Sequence, residues 1–379
     1  MKKSAKNKKL MSKLKICLVS SEKPYPARDS LFIILKKILG SRQVVELRIK
    51  DWMTRVPSIL KLAFYPLQDL MLYFKILICR KKHGINTVLI FQGYYPLTSI
   101  GLSFLNIKLL LYIGGSAFKS SYYEKRSFIG RLAAFSNIPI QEICHKFSYL
   151  IILPSEKAIT WLGLEKYVNK LCSAPCIINP KFFGKFTMST NYRKRREIIG
   201  YVGSLMKSKG ILNLIQSISM IKSRLKFREV YLLIIGDGPL VNDLKVKIDE
   251  YGISENVILK GYVPHHSLPK YYNLMKLLVL PSYTEGLPSV ILEAMACGTP
   301  VLTTPVGAIP NIIKEGKTGF LLNSNSSRHI AERIIELLNK PDLLEKVSIN
   351  AYNYVRENFS YKKVLEMWRK IINDLTVKK

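Results

Sequence analysis

PSYTEGLPSVILEAMACGTPV, residues Pro281–Val301, is the most informative stretch of the 379-residue chain. A short apolar run, Leu277–Leu280, precedes it and reads as a buried strand that ends at Pro281. A loop holding Glu285 and Gly286 follows. Pro288 then suits the first turn of a helix, where its missing N–H would be unpaired in any case. The Ser289 and Val290 amides point out of that helix start and, with the helix dipole, make an anion site fit for a pyrophosphate. Glu293 lies about one and a half turns into the helix, at ~3.6 residues per turn. Glu285 and Glu293 therefore flank the anion site at different depths. Both can accept hydrogen bonds from hydroxyls at the two ends of a sugar–nucleotide.

Working outward, short apolar runs alternate with longer helical patterns. Leu14–Ser20, Val44–Ile49, Thr87–Phe91, Lys108–Ile113 and Tyr149–Leu153 read as strands buried on both faces of a parallel sheet. A polar, basic connector follows at 181–196, ending in Arg193–Arg196, and suits an interdomain linker. The pattern restarts with Glu197–Gly203, Val230–Ile235, Val257–Lys260, Leu277–Leu280 and Val301–Thr303. This predicts an α/β protein with two doubly wound sheets in tandem. The expected domains are 1–188, 189–358 and a C-terminal helix at 359–379 that packs back toward the first domain. Its apolar positions 364, 365, 368, 371, 372 and 375 share one helix face.

Charge narrows the partners. Lys+Arg number 59 against 26 Asp+Glu, a net charge of +33, and residues 1–189 carry +22 of it. Such a surface attracts nucleic acid, anionic lipid or a phosphate-bearing substrate. No nucleic-acid module and no basic motif interleaved with aromatics is present, so nucleic acid is set aside. Lysines before the first strand, with no h-region after them, predict a cytoplasmic protein held at the inner face of the membrane by charge. The segment Ile59–Cys79, broken by Lys61, Asp69 and Lys75, reads as amphipathic or buried rather than as a membrane span. In a reducing compartment, six cysteines make no disulfide framework. Cys172 and Cys176 lack the second pair that a metal site needs. His265 and His266 stand in a polar loop and read as surface residues.

Ser282, Glu285-Gly286, Pro288, Glu293–Ala296, Gly298 and Pro300-Val301 resemble the E-x7-E region of retaining glycosyltransferases of the GT4 type (glycosyl transferases group 1). The match extends over roughly 197–325. It takes in Gly203-Ser204 with Lys209-Gly210, Gly236–Leu240, Gly261-Tyr262, Val306–Pro310 and Gly316–Leu321. The resemblance implies a GT-B fold, two Rossmann-like domains facing a central cleft. It also implies transfer of a sugar from a nucleotide-diphosphate sugar, with no metal and no further cofactor.

Carried over residue by residue, Glu285 contacts hydroxyls of the transferred sugar and Lys209 neutralises the diphosphate. Glu293 binds the ribose, the Ser289 and Val290 amides hold phosphate, and Tyr262 lies near the base. Gly203, Ser204, Gly236, Gly286 and Leu287 complete the donor site, and Gly114 and Gly115 lie on the acceptor or sugar side. The expected acceptor is a lipid-linked or polysaccharide glycan docking on the basic first domain. The chain departs from the family pattern at Ser204, where the family has Arg, at Asn311, where it often has Glu, and at Gly114, where many members have His. The Gly-rich loop after the first strand is replaced by Ser20–Pro24. A second reading follows from these departures: a non-catalytic homologue that partners an active enzyme.

Overall fold

The computed structural model of the protein describes residues 11–21, 26–49, 58–124, 134–175, 183, 192–224 and 229–377. The first lysines of the chain, residues 22–24, Cys176 and most of the connector at 181–191 lie outside the described residues.

Two compact units divide the chain. Met1–Phe118, Leu132–Ile177 and Lys362–Lys379 form the first; Lys119–Arg131 and Ile178–Tyr361 form the second. The first unit is built on a parallel sheet of β1 (Ile16–Ser21), β2 (Val44–Ile49), β3 (Thr87–Phe91), β4 (Lys108–Tyr112), β5 (Leu150–Leu153) and β6 (Leu171–Ser173). The order is β2-β1-β3-β4-β5-β6. Its helices are α1 (Pro26–Leu39), α2 (Ser58–His83), α3 (Pro96–Phe104), α4 (Ala117–Glu124), α5 (Asn137–Phe147) and α6 (Ala158–Leu162). Helix α4 passes from the first unit into the second at Lys119. The sheet core is the apolar runs themselves: all of Ile16–Val19, Val88–Ile90 and Leu109–Leu111 is buried. That is the physical reason these strands show no polar alternation.

Helix α2 contains the segment 59–79. Its inner face buries Leu72 and Ile76, while Phe74 and Ile78 face out. Asp69, the charge that interrupts the apolar pattern, is fully buried and accepts the Leu97 and Thr98 amides at 2.6 and 2.9 Å. It thereby satisfies the open N–H groups of the first turn of α3. Burial pushes its carboxyl above the ordinary value, against the pull of the Thr98 and Leu97 bonds.

The second unit has β7 (Ile198–Val202), β8 (Tyr231–Ile235), β9 (Val257–Gly261), β10 (Leu277–Leu280), β11 (Val301–Thr303) and β12 (Phe320–Leu321). Their order is β12-β11-β10-β7-β8-β9, all parallel. The helices are α7 (Ile211–Arg224), α8 (Val241–Glu250), α9 (Leu268–Tyr272), α10 (Ser289–Ala296), α11 (Ile309–Ile312), α12 (Ser327–Leu338) and α13 (Pro341–Asn358). Strand order reverses between β7 and β10. In open α/β sheets a ligand crevice forms outside the strand ends at such a switch point. Strands β6 and β12, three and two residues long, were not expected from the sequence. Each is an edge strand too short to leave a pattern.

Helix α14 (Tyr361–Val377) returns to the first unit from Lys362 onward. Trp368 on its apolar face is fully buried, lies 6.2 Å from the Tyr112 ring and donates its indole N–H to the Pro175 carbonyl at 3.2 Å.

Candidate active site

The turn after β7 and the loop after β10 meet at the switch point. A 3-10 turn at Lys207–Lys209 ends at Gly210, whose φ of +67° is left-handed. A Cβ on Gly210 would stand 2.1 Å from the Pro281 carbonyl oxygen, so only glycine lets the two segments come this close. The Tyr283 amide donates to the Ser208 carbonyl at 2.8 Å and ties the loops together. As a result Lys209 Nζ reaches Glu285 Oε1 at 2.7 Å. Ser282 Oγ donates to the same oxygen at 2.8 Å. Glu285 is buried, and Oε2 has no partner among the described residues. Two chain segments 76 residues apart thus present a partly screened cation–carboxylate pair.

The amide of Ser208, next to Lys209, donates to the Glu124 carboxylate at 2.7 Å. The Tyr123 ring stacks on Tyr283, centroids 5.1 Å apart. Glu124 lies in the part of the chain, 119–131, that belongs to the second unit. An anionic group therefore already sits at an amide of the turn that carries Lys209.

Ser289 and Val290 open α10, with Pro288 at its N-cap in an extended conformation. Their amides have no carbonyl within the helix to bond, as holds for the first residues of any helix. The Glu285 and Gly286 carbonyls are held by a different contact. Gly307 packs against them so tightly that a Cβ would lie 2.2 Å from Glu285 O.

Glu293, one helical face further on, is only 3 % exposed. Its Oε2 accepts the Tyr272 hydroxyl at 2.9 Å, and its Oε1 lies 3.0 Å from His265 Nε2. Burial, then the Glu293 charge, holds the Tyr272 phenol well above its ordinary range, so it stays a donor. The Phe183 ring packs on His265 at 5.3 Å and on Tyr272 at 6.2 Å. His265 is therefore not the loose surface residue expected from its loop; it fixes a buried carboxylate. A carboxylate has about four lone-pair sites, so two such bonds leave capacity for ligand hydroxyls.

Strands β7 and β8 end side by side, with the Gly203 amide on the Ile235 carbonyl at 3.0 Å. A cavity of 240 Å³ opens near there, lined by Leu205, Gly236, Asp237, Val241, Lys245 and Gly261 among others. Tyr262 beside it is 63 % exposed. Ser204 is exposed, and its carbonyl accepts the buried Tyr201 hydroxyl at 2.8 Å. Gly286 and Leu287 stand in the loop between Glu285 and α10. Gly114 and Gly115 follow β4 in the first unit. There the Gln92 side chain fills the space beside Gly114, with its Nε2 2.1 Å from where a Cβ would be. Gln92 itself has a positive φ of 54°, a strained state for a side-chain residue. Among the described residues, no group of three or more His, Cys, Asp or Glu is placed to hold a metal.

Residues 185–354 match the family described as glycosyl transferases group 1. This segment belongs to the group 1 glycosyltransferases. The capsular polysaccharide biosynthesis glycosyltransferase CapM of Staphylococcus aureus is 37% identical over 258 residues, 64% of this chain and 63% of that protein. The chain thus spans less than two thirds of that relative's length. Two solved structures share the fold. Sucrose-phosphate synthase from Thermosynechococcus elongatus matches at a TM-score of 0.77 and 18% identity, over 97% of this chain and 100% of that one. Anabaena HepE in complex with UDP-glucose matches at 0.70 and 17%, over 96% and 99%. With its two parallel six-stranded sheets, the chain has the GT-B fold.

Ser282, Ser208, Tyr272, His265 and Glu124 were not assigned roles by the sequence reading. Only Ser282 carried a signal, three residues before Glu285. The others act across 21 to 84 residues of chain.

Proposed function

We propose that the protein is a retaining glycosyltransferase that moves a sugar from a nucleotide-diphosphate sugar to a lipid-linked or polysaccharide acceptor in cell-surface glycan synthesis. The observation that carries this is the Lys209–Glu285 pair at the β7–β10 switch point, 2.7 Å apart. Lys209, with the Ser289 and Val290 amides, takes the diphosphate and stabilises its charge as the glycosidic bond breaks. Glu285 turns its unpartnered oxygen to hydroxyls of the transferred sugar. Glu293 binds the ribose, and the base lies by Gly236 and Tyr262. No metal has a part in this scheme.

The UDP-glucose bound to the Anabaena neighbour supports a uridine nucleotide as the first donor to try. The CapM likeness supports a glycan acceptor, taken by the first unit with Gly114 and Gly115 on that side. The +22 of residues 1–189 supports work at an anionic inner membrane face.

The test uses the purified full chain. Glu293→Ala is expected to weaken UDP binding, read by calorimetry, by about tenfold or more, the worth of ~1.5–3 kcal/mol for a bond to a charged acceptor. Glu285→Ala is expected to lower turnover more than it weakens UDP binding. Transfer survives EDTA, and the product anomer matches the donor. Wild-type turnover in both variants would remove the assigned site; a strict need for Mg²⁺, or an inverted product, would remove the mechanism.

A further inference from the structure

Helix α2 turns an apolar face to solvent. Phe64, Leu67, Met71, Phe74 and Ile78 are all exposed, at alternating spacings of three and four residues. That spacing is one continuous stripe along a helix, about 21 Å long at ~1.5 Å per residue. Leu70 widens it. The opposite face, Gln68, Asp69, Leu72 and Ile76, is buried in the first unit. Phe74 is 55 % and Ile78 66 % exposed. Helix α3 packs beside α2 away from this stripe, where Gly101 lets the Tyr73 ring in and Asp69 holds the first amides of α3. Arg80 reaches across to α3 and donates to the Leu105 carbonyl at 3.4 Å.

An ordinary surface helix is polar on this side. Here the outward residues of the helix from 64 to 83 include no acid, and its last turn is Arg80, Lys81, Lys82 and His83. Lys75, Lys81 and Lys82 are exposed and make no ion pair among the described residues. The helix dipole explains cations at a C-terminus. It does not explain five exposed apolar residues leading up to them. No described helix is long and apolar enough to cross a membrane.

We infer that the outer face of α2 docks on an anionic lipid surface, its apolar stripe lying among the acyl chains and Lys75, Lys81 and Lys82 on the headgroups. Interfacial helices bind by this combination of buried apolar area and charge. A second copy of the chain suits the face less well, because it would bring two cationic ends together on halves that each carry +22. The inference extends the membrane part of the proposed function by giving it an element and an apolar component. It needs no property of the nucleotide site.

The experiment is co-sedimentation of the full chain with phosphatidylcholine vesicles, with or without about one-third phosphatidylglycerol, in low salt and in about 0.5 M NaCl. The wild type is expected to bind the anionic vesicles and to stay partly bound in high salt. The double variant Phe74→Ser, Ile78→Ser keeps every charge and is expected to partition about tenfold more weakly, because binding scales with the apolar area buried. Met71→Gln with Phe74→Gln repeats the test on a second pair, and an unchanged far-UV circular dichroism spectrum and thermal unfolding profile report that each variant is folded. Wild-type partitioning by both folded pairs would overturn the inference while leaving a charge-only membrane association intact. Equal binding to neutral vesicles would overturn the anionic surface as the occupant. A wild-type dimer that the variants dissolve would assign the face to a second copy instead.

Discussion

Both oxygens of Glu293 are engaged, by His265 and by Tyr272, before any ligand arrives. A buried carboxylate with fixed partners cannot swing, and its remaining lone pairs point where the ring and the phenol allow. His265 is thus a positioning residue for the proposed ribose contact. Replacing His265 by Ala is expected to raise the UDP dissociation constant about tenfold, near the ~1–1.5 kcal/mol of one hydrogen bond. His265→Gln, which keeps an N–H donor, is expected to recover most of the loss. Calorimetry with UDP checks both. If the two variants lose thermal stability alike and bind UDP like the wild type, the ring only supports the fold.

Helix α5 shows what burial does to an element. His145 is buried between the rings of Tyr94 and Tyr167, each 5.6 Å away. Desolvation lowers its pKa from 6.5 to about 4, with Glu142 pulling up and Lys166 pushing down. The unfolded chain therefore gains a proton as pH falls below 6.5, which the folded chain refuses until about 4. Stability tied to this ring is complete above that window and declines through it, by no more than about 3 kcal/mol. Urea titrations at pH 7 and pH 5 are expected to show a larger loss for the wild type than for His145→Phe. Equal losses would mean the ring does not titrate as its burial requires. The setting of this histidine was not local information, because the two tyrosines come from other segments.

For the whole molecule, the last helix belongs with the first unit. Helix α14 starts where the second unit ends, and its Trp368 is buried on Tyr112 and bonded to Pro175. Lys108 at the start of β4 donates to the Leu375 carbonyl at 2.8 Å. Trp368→Ala is expected to cost the first unit about 3–5 kcal/mol, as large-to-small changes in cores do. The second unit should still gain stability from UDP, since a ligand of the native state raises it by mass action. Calorimetric scans with and without UDP check this. An unchanged first transition would mean that the helix end contributes no packing.

The strands were legible because burial on both faces writes itself into consecutive residues: all ten runs read as strands are strands within two residues at each end. The Glu285 and Glu293 spacing was legible because a loop and one helix place them both. Sheet order was not local information. Only the reversal between β7 and β10 brings Lys209 to Glu285 across 76 residues. In the same way, Tyr272 reaches Glu293 because α9 packs on α10. Sequence alone could not say which side of α2 faces out, since the helix is apolar nearly all round. Packing decided it: the sheet buried Leu72 and Ile76 and left Phe74 and Ile78 to the solvent side. Periodicity records which residues share a face; only the fold's other elements determine what that face meets.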